Sequence, residues 1–334
     1  MPPGFHISVV AEGLPGARFI AFASNGDLIV SLPRRAEVVA LPGASAAQPP
    51  KVVLSAKELA HGVAFHGSEL FVASWSGLTR LHYPPGPADR PVTLSADMPQ
   101  GGDHNLRALA IAADGTLFVS SGSDCNVCNE SDPRFATVLR YGAGSAHGQV
   151  YARGLRNASG LAFDDRGRLW AVVNGRDNLG DDVPADELDL LSPGADYGWP
   201  FCYSSGGKRQ ADPQYGRPGR CARAVPSAFD FQAHSAPLGM TFYYGSQFPA
   251  AYKGAAFVAF HGSWNRSVRT GYKVVSVFFR DGRPQRVQDF ATGWLRPDGA
   301  VIGRPVGLTV SAEGSLFISD DHGFIYKVTY DGQK

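Results

Sequence analysis

The sequence predicts an all-β protein: a six-bladed β-propeller in one domain, residues 1–334, with long loop insertions in the later blades. Three observations predict it. A strand–turn–strand unit recurs six times along the chain. The 40 Gly and 24 Pro exceed ordinary usage and favour many turns and short strands. No stretch sustains a helical period over three turns.

The repeats begin at Phe19, Gly62, Ala108, Gly160, Gly239 and Gly307. Gly160-Leu-Ala-Phe followed by Asp-Asp-Arg-Gly-Arg-Leu-Trp is typical: an apolar strand, a turn, a second strand. Four of the six carry an Asn-Gly, Asp-Gly, Arg-Gly or Glu-Gly step between the strands. Such steps suit a tight hairpin, because Gly accepts the left-handed region. A third strand often follows, as in Thr137-Val-Leu-Arg-Tyr. Repeats of this length built from short strands point to a propeller. The spacing grows from about 43 residues early to about 79 later, so insertions are expected at 121–135, 174–235 and 285–303. Phe5-His-Ile-Ser-Val-Val-Ala is placed to supply the outer strand of the last blade, which would close the ring and remove an open edge.

Composition narrows the function classes. A hydrophobic content of 44% supports a full core. The net charge of +1, with no long basic run, points away from nucleic acid and anionic membranes. No apolar stretch is long enough to span a bilayer. The first residues, Met-Pro-Pro-Gly-Phe-His, lack the features of a signal peptide, though a trimmed mature chain would also begin this way. The four cysteines fall in local pairs, Cys125/Cys128 and Cys202/Cys221. A four-cysteine zinc site, a c-type haem attachment and a thioredoxin-like pair each lack their expected context. Two disulfides and an oxidising location, periplasmic or secreted, are the favoured reading, with buried free thiols as the alternative.

In a propeller the innermost strands line a central channel. The residues just before the aligned inner strands include Arg18, His61, Arg107 and Ser159. His104 and Arg156 stand three positions before two of them, and Arg304 precedes the sixth strand. One end of the channel is therefore expected to concentrate basic groups, which suits an anionic, planar, oxygen-rich ligand.

The chain resembles the soluble pyrroloquinoline quinone (PQQ)-dependent sugar dehydrogenases, closest in pattern to the sorbosone dehydrogenase-like and pyranose dehydrogenase-like members. The markers span nearly the whole chain. They are Gly-Asp-His104, Gly-Leu-Arg156-Asn157, Asn174-Gly175-Arg176-Asp177-Asn178, Asp196-Tyr-Gly-Trp-Pro200, Ala-His234-Ser-Ala-Pro-Leu-Gly, His261-Gly-Ser-Trp-Asn265-Arg266 and Gly303-Arg304-Pro. The resemblance implies that His104 is the general base, taking the proton of the sugar's anomeric hydroxyl as hydride leaves for the quinone. It implies that Arg156, Asn157 and Arg304 hold PQQ, and that the backbone carbonyls of Gly175 and Arg176 bind a Ca²⁺ in contact with it. Arg18 and Arg107, at the channel register, are assigned to the same cofactor.

The chain also departs from the glucose dehydrogenase members. They have Pro where Arg176 stands and Gln where Ser159 stands. Their PQQ-binding Lys falls within the segment His261–Arg266, which has none, so Asn265 or Arg266 is expected to approach the cofactor.

The expected substrate is a sugar or related hydroxy-aldehyde, and the electrons are expected to pass to an external acceptor (a quinone, cytochrome or dye). Two alternatives remain: a Ca²⁺-dependent lactonase-like hydrolase, which needs converging carboxylates and Asn, and a non-catalytic binding propeller. His61 and His234 read equally well as structural histidines. Trp75, Trp199 and Trp264 are candidates to stack on a sugar, or simply to fill space between blades. The acidic run from Asp177 to Asp189 could hold a second Ca²⁺ or be a solvated loop.

Overall fold

The computed structural model describes residues 1–142 and 144–332. Residues 143, 333 and 334, part of the predicted single domain, lie outside the described residues.

After strand β1 (Phe5–Ala11) the chain lays down six four-stranded antiparallel sheets. The first is β2 (Ile20–Phe22), β3 (Leu28–Leu32), β4 (Glu37–Leu41) and β5 (Lys51–Ser55). The second is β6 (Ala60–His66), β7 (Glu69–Ser74), β8 (Leu78–His82) and β9 (Val92–Ser95). The third is β10 (Leu109–Ile111), β11 (Leu117–Ser121), β12 (Thr137–Tyr141) and β13 (Gln149–Arg153). The fourth has β14 (Ala158–Phe163), β15 (Leu169–Val173) and β16 (Asp186–Leu190). A separate hairpin of β17 (Cys202–Ser205) and β18 (Lys208–Ala211) follows before the outer strand β19 (Phe229–Phe231). The fifth is β20 (Pro237–Phe242), β21 (Ala256–Phe260), β22 (Lys273–Arg280) and β23 (Arg283–Ala291). The sixth is β24 (Pro305–Val310), β25 (Leu316–Asp320) and β26 (Ile325–Tyr330), completed by β1. The propeller and its closure by the N-terminal strand are as the sequence predicts. Among the described residues the only helical pieces are three short 3-10 turns.

Two devices explain why the repeat has its pattern. The recurring first glycine is a spacer between blades. A Cβ on Gly62 would lie 2.7 Å from the Arg107 carbonyl, and one on Gly160 1.9 Å from that of Leu238. Gly239 and Gly307 stand in the same relation to Val306 and Arg18, at 2.3 and 2.4 Å. No side chain fits where neighbouring inner strands approach this closely. The second device is a serine on the second strand. Ser31, Ser120 and Ser319 accept the backbone N–H of Phe19, Ala108 and Gly307, the first residue of their own repeats.

Second strands such as β3, β11, β15 and β25 are buried along their whole length, because both faces of each blade pack on a neighbour. That is why they read as near-continuous apolar runs. Apolar side chains gather at each of the six blade interfaces. At the closure, Phe5 sits edge-on to Phe248, Tyr252 and Phe290 with centroids 4.8–5.2 Å apart, fixing β1 in place.

The insertion at 121–135 corresponds to the loop between β11 and β12, whereas that at 174–235 is drawn too wide: it takes in the blade-four strands β16 and β19, and the added material is the loop before β16 and the segment around β17 and β18. The third needs correction: residues 285–291 belong to strand β23, and only 292–304 form a loop. The β17–β18 hairpin is anchored from beneath by Arg209, whose NH1 lies 2.7 Å from Glu187. Both expected disulfides are formed, Cys125–Cys128 and Cys202–Cys221, with Cα atoms 6.2 and 5.7 Å apart.

Candidate active site

The inner strands converge on one cavity of about 210 Å³ at the end of the channel. Blade three contributes His104, from the segment before β10. Blade four contributes Arg156 and Asn157 before β14, Asn174, Gly175 and Asp177 after β15, and Asp186 at the start of β16. Blade five contributes His234 and Ala236 before β20 and Trp264 and Asn265 after β21. Five of the nine sequence-predicted site residues thus line one space.

His104 is held from behind. Its Nδ1 lies 3.0 Å from both the Ser123 carbonyl oxygen and Oγ, just past β11. A proton on Nδ1 donated to that carbonyl leaves Nε2 with a free lone pair. Burial, and then the charge of Arg156, lower its pKa to about 4, so the imidazole is neutral at pH 7.

Arg156 is buried and tightly bonded. Nε donates to the Asn126 carbonyl (2.9 Å), NH1 to the Gly175 carbonyl (2.7 Å), and NH2 to Asn126 Oδ1 (3.0 Å) and Asp177 Oδ2 (2.9 Å). One N–H, on NH1, is left unclaimed. Asp177 also accepts from Asn265 Nδ2 at 2.9 Å, so two blades are joined through one carboxylate. Asn157 Nδ2 donates to Asn174 Oδ1 at 3.2 Å. Asp186 accepts the backbone N–H of Gly175 and of Ala236, each at 2.9 Å, and burial pushes its pKa up to about 6. These bonds fix the Gly175 carbonyl, which keeps one lone pair beyond the one facing Arg156.

The other predicted cations lie elsewhere. Arg18 and Arg304 form a second group with His261 and Asp321. Arg18 is 3.7 Å from Asp321, and His261 Nε2 is 3.5 Å from the same carboxylate. The Arg304 guanidinium makes only long contacts, 3.5 Å each, to His261 Nδ1, the Gly262 carbonyl and Tyr272 OH, and lies over the Tyr272 ring. Arg18 Nε and His261 Nε2 are buried without a hydrogen-bond partner. Loosely held and unsatisfied donors of this kind suit an added anionic oxygen ligand, and so fit a carboxylate-bearing cofactor.

One expectation changes. Arg107 does not line the cavity. It is fully buried and spends its guanidinium on the Trp75 and Pro99 carbonyls and Ser121 Oγ, in the packing between blades two and three. The Arg176 side chain pairs with Asp212 (2.6 Å), which leaves open the role expected of its backbone carbonyl. The basic channel end is also less cationic than predicted, since Arg156 and Arg18 each face a carboxylate.

The acidic run does not form one centre. Asp177 pairs with Arg156, Asp182 with Arg266 and Glu187 with Arg209, while Asp186 takes two amides. Among the described residues, the one group of three or more His, Cys, Asp or Glu side chains close enough to share a metal is Cys125, Cys128 and Glu130, and its two sulfurs are joined in the disulfide. His61 is structural, bonded to the Arg107 carbonyl at 2.8 Å. Trp199 is interior, whereas Trp264 is 72% exposed at the cavity rim. Ser123, Asn126 and Asp186 were missed as site residues. Only Asp186 carried a signal, its place in the acidic run.

Comparison with known proteins gives the family setting. A family model described as TrAA12-like matches residues 1–331. A PQQ-dependent pyranose dehydrogenase of Coprinopsis cinerea is 26% identical, over 95% of this chain and 52% of its own length. An uncharacterised protein of Borreliella burgdorferi is 32% identical, over 64% of this chain and 57% of its own length. The chain therefore spans little more than half the length of the curated relatives it matches.

Among solved structures, the holo PQQ domain of the Coprinopsis cinerea pyranose dehydrogenase superposes with a TM-score of 0.84 at 24% identity, covering 98% of this chain and 96% of that one. A calcium structure of the Trichoderma reesei family AA12 enzyme gives 0.83 at 24% identity with the same coverage. At this identity the structures speak for the fold alone.

Proposed function

We propose, from the premise that this chain belongs to the TrAA12-like family, that it is a PQQ- and Ca²⁺-dependent oxidoreductase acting on an aldose or related hydroxy-aldehyde. The reading is supported by the curated relative named as a PQQ-dependent pyranose dehydrogenase. The observation that carries it is one cavity in which a neutral, back-bonded His104 faces Arg156, Asn157, Asn265 and the fixed carbonyl of Gly175.

Bound PQQ would supply the two-electron acceptor for hydride. The protein's own part is as follows. Arg156 offers its remaining N–H to a carboxylate or quinone oxygen, and Arg304 and Arg18 offer theirs from the second group. Asn157 and Asn265 add amide donors. Gly175 presents carbonyl oxygen, the ligand type a hard cation prefers. His104 takes the hydroxyl proton on Nε2 while Nδ1 stays engaged with Ser123, so the ring is oriented before substrate arrives. Trp264 gives the open rim an apolar face against which a sugar's C–H face packs. Electrons then pass to an external acceptor.

The hydrolase alternative requires carboxylates free to converge on a metal. Asp177 and Asp186 line the cavity but are consumed by Arg156, Asn265 and two amides. Among the described residues, no helix is long and apolar enough to cross a membrane. The test is to titrate the protein with PQQ and Ca²⁺ and follow dye reduction with a panel of aldoses. Cofactor uptake with sugar-dependent reduction is expected. No uptake of PQQ overturns the reading, and uptake with no turnover of any sugar leaves a binding protein.

A further inference from the structure

The loop between β11 and β12 does more than staple a surface turn. Asn126 lies inside the small ring closed by Cys125 and Cys128. It makes four hydrogen bonds, and all of them cross to blade four. Its carbonyl accepts Arg156 Nε, and its Oδ1 accepts both Arg156 NH2 and the backbone N–H of Asp177 (2.8 Å). Its Nδ2 donates to the Asp177 carbonyl (3.3 Å). Half of Arg156's bonds therefore go to this one residue. Their geometry decides which guanidinium N–H remains for a ligand.

The same loop reaches the other side of the cavity. Ser123 N donates to the Arg156 carbonyl at 2.7 Å, and Ser123 Oγ donates to the Cys125 carbonyl at 2.7 Å. Ser123 is also the partner of His104 Nδ1. Glu130 accepts the N–H of Asp124 at 2.9 Å and closes the loop from its far side.

We infer that Asn126 is the positioning residue for Arg156 and Asp177, and that the Cys125–Cys128 disulfide holds it in place for that purpose. The inference rests on the proposed PQQ reading. A ring this small leaves Asn126 few backbone conformations, so its two acceptors are aimed before any ligand arrives. The side chain makes no bond within its own loop, and without the covalent closure nothing local would hold its direction. A purely stabilising disulfide would not need an asparagine pointed at the anion-binding arginine.

The test uses spectroscopic PQQ titrations in the presence of Ca²⁺, with urea unfolding of the apo protein alongside. Asn126→Ala is expected to weaken PQQ binding about tenfold or more, with the KM for sugar at saturating cofactor unchanged. The double variant Cys125→Ser/Cys128→Ser should weaken PQQ to a similar degree. Asn126→Asp keeps the Oδ1 acceptor and the main-chain carbonyl, and is expected to recover most of the loss.

Wild-type protein that takes up no PQQ overturns the functional reading and this inference with it. Wild type that binds while Asn126→Ala binds equally overturns this inference alone. Loss of binding that only tracks a fall in the unfolding midpoint, with no rescue by Asn126→Asp, reduces the residue to a structural role and also overturns it. A double cysteine variant that binds as wild type removes the disulfide from the assignment.

Discussion

Arg156 and Arg304 precede inner strands of different blades and look alike in the sequence, yet the fold treats them oppositely. Arg156 is nearly saturated: one residue of the β11–β12 loop, Asn126, and two of blade four, Gly175 and Asp177, take all but one of its N–H donors, at 2.7–3.0 Å. Arg304 has only 3.5 Å contacts, an aromatic ring beneath it, and no salt bridge among the described residues. The first is part of the architecture and offers one donor in a fixed direction. The second is a charge kept available. An anion-binding site gains from both, since a preorganised donor sets orientation and an unpartnered one gains most from the ligand.

Breaking the saturated member should have the largest effect. Arg156→Ala strands the Asp177 carboxylate, the Gly175 carbonyl and Asn126 in a buried space. Removing one partner of a buried ion pair costs about 3–5 kcal/mol. Urea unfolding of the apo protein is expected to show a loss of that order, together with lost PQQ binding. An apo stability equal to wild type would mean that Arg156 is not structural, and the contrast with Arg304 would collapse.

Arg304→Ala should behave the other way. It removes no short bond but does remove the stacking on Tyr272, so apo stability is expected to change by no more than about 1 kcal/mol. PQQ affinity should fall by roughly 1.5–3 kcal/mol, the usual worth of a hydrogen bond to a charged group. Parallel titration and unfolding of the two variants reads the comparison directly. A large stability loss in Arg304→Ala with affinity retained would reverse it.

These differences mark what the sequence could and could not convey. The propeller was legible because its rule is local: a glycine that spaces blades, a tight turn, a buried second strand. The register of His104, Arg156 and Asn157 on one cavity was legible for the same reason, since a residue just before an inner strand arrives at the channel end, whereas Gly175 and Asn265 follow second strands and were expected only from the family resemblance. Arg107 obeys that register and still turns away, because the Trp75 and Pro99 carbonyls claim it. Residues 285–291 read as an insertion because β23 is mostly exposed and polar, so it carries little apolar signal. Asn126 was invisible because its partners lie in another blade, at separations of 30 and 51 residues.

The two groups also share a titration. His104 beside Arg156 and His261 beside Arg304 and Arg18 are each lowered to about 4, by burial first in both cases. Against an ordinary value near 6.5, the unfolded chain takes up protons between about 6.5 and 4 that the folded protein does not. Stability is therefore expected to fall as pH drops through that window, by on the order of 1–2 kcal/mol per histidine at pH 5. Asp321 works lower down. Burial alone would raise its pKa, but the His261 ring 3.5 Å away and the Arg18 charge outweigh it and bring it to about 2. Its contribution is present above about 3.8 and is lost only as pH falls toward 2. Urea midpoints measured from pH 7 to 5 should decline in wild type and less steeply in His261→Gln. Equal slopes would show that His261 titrates normally.

The finest test of the contrast keeps the charge and changes its shape. Arg304→Lys retains a cation near His261 and Tyr272 but loses the planar fork and its stacking on the ring. Stacking of this kind is worth about 0.5–1 kcal/mol where solvent still reaches it. The lost stacking is expected to cost the apo protein no more than about 1 kcal/mol, and the lost planar fork to lower PQQ affinity only about two- to fivefold. The same exchange at Arg156 cannot reproduce four bonds directed to three residues, so Arg156→Lys should resemble the alanine variant. If the two lysine variants lose affinity and stability in equal measure, the difference in bonding between the two arginines has no functional weight.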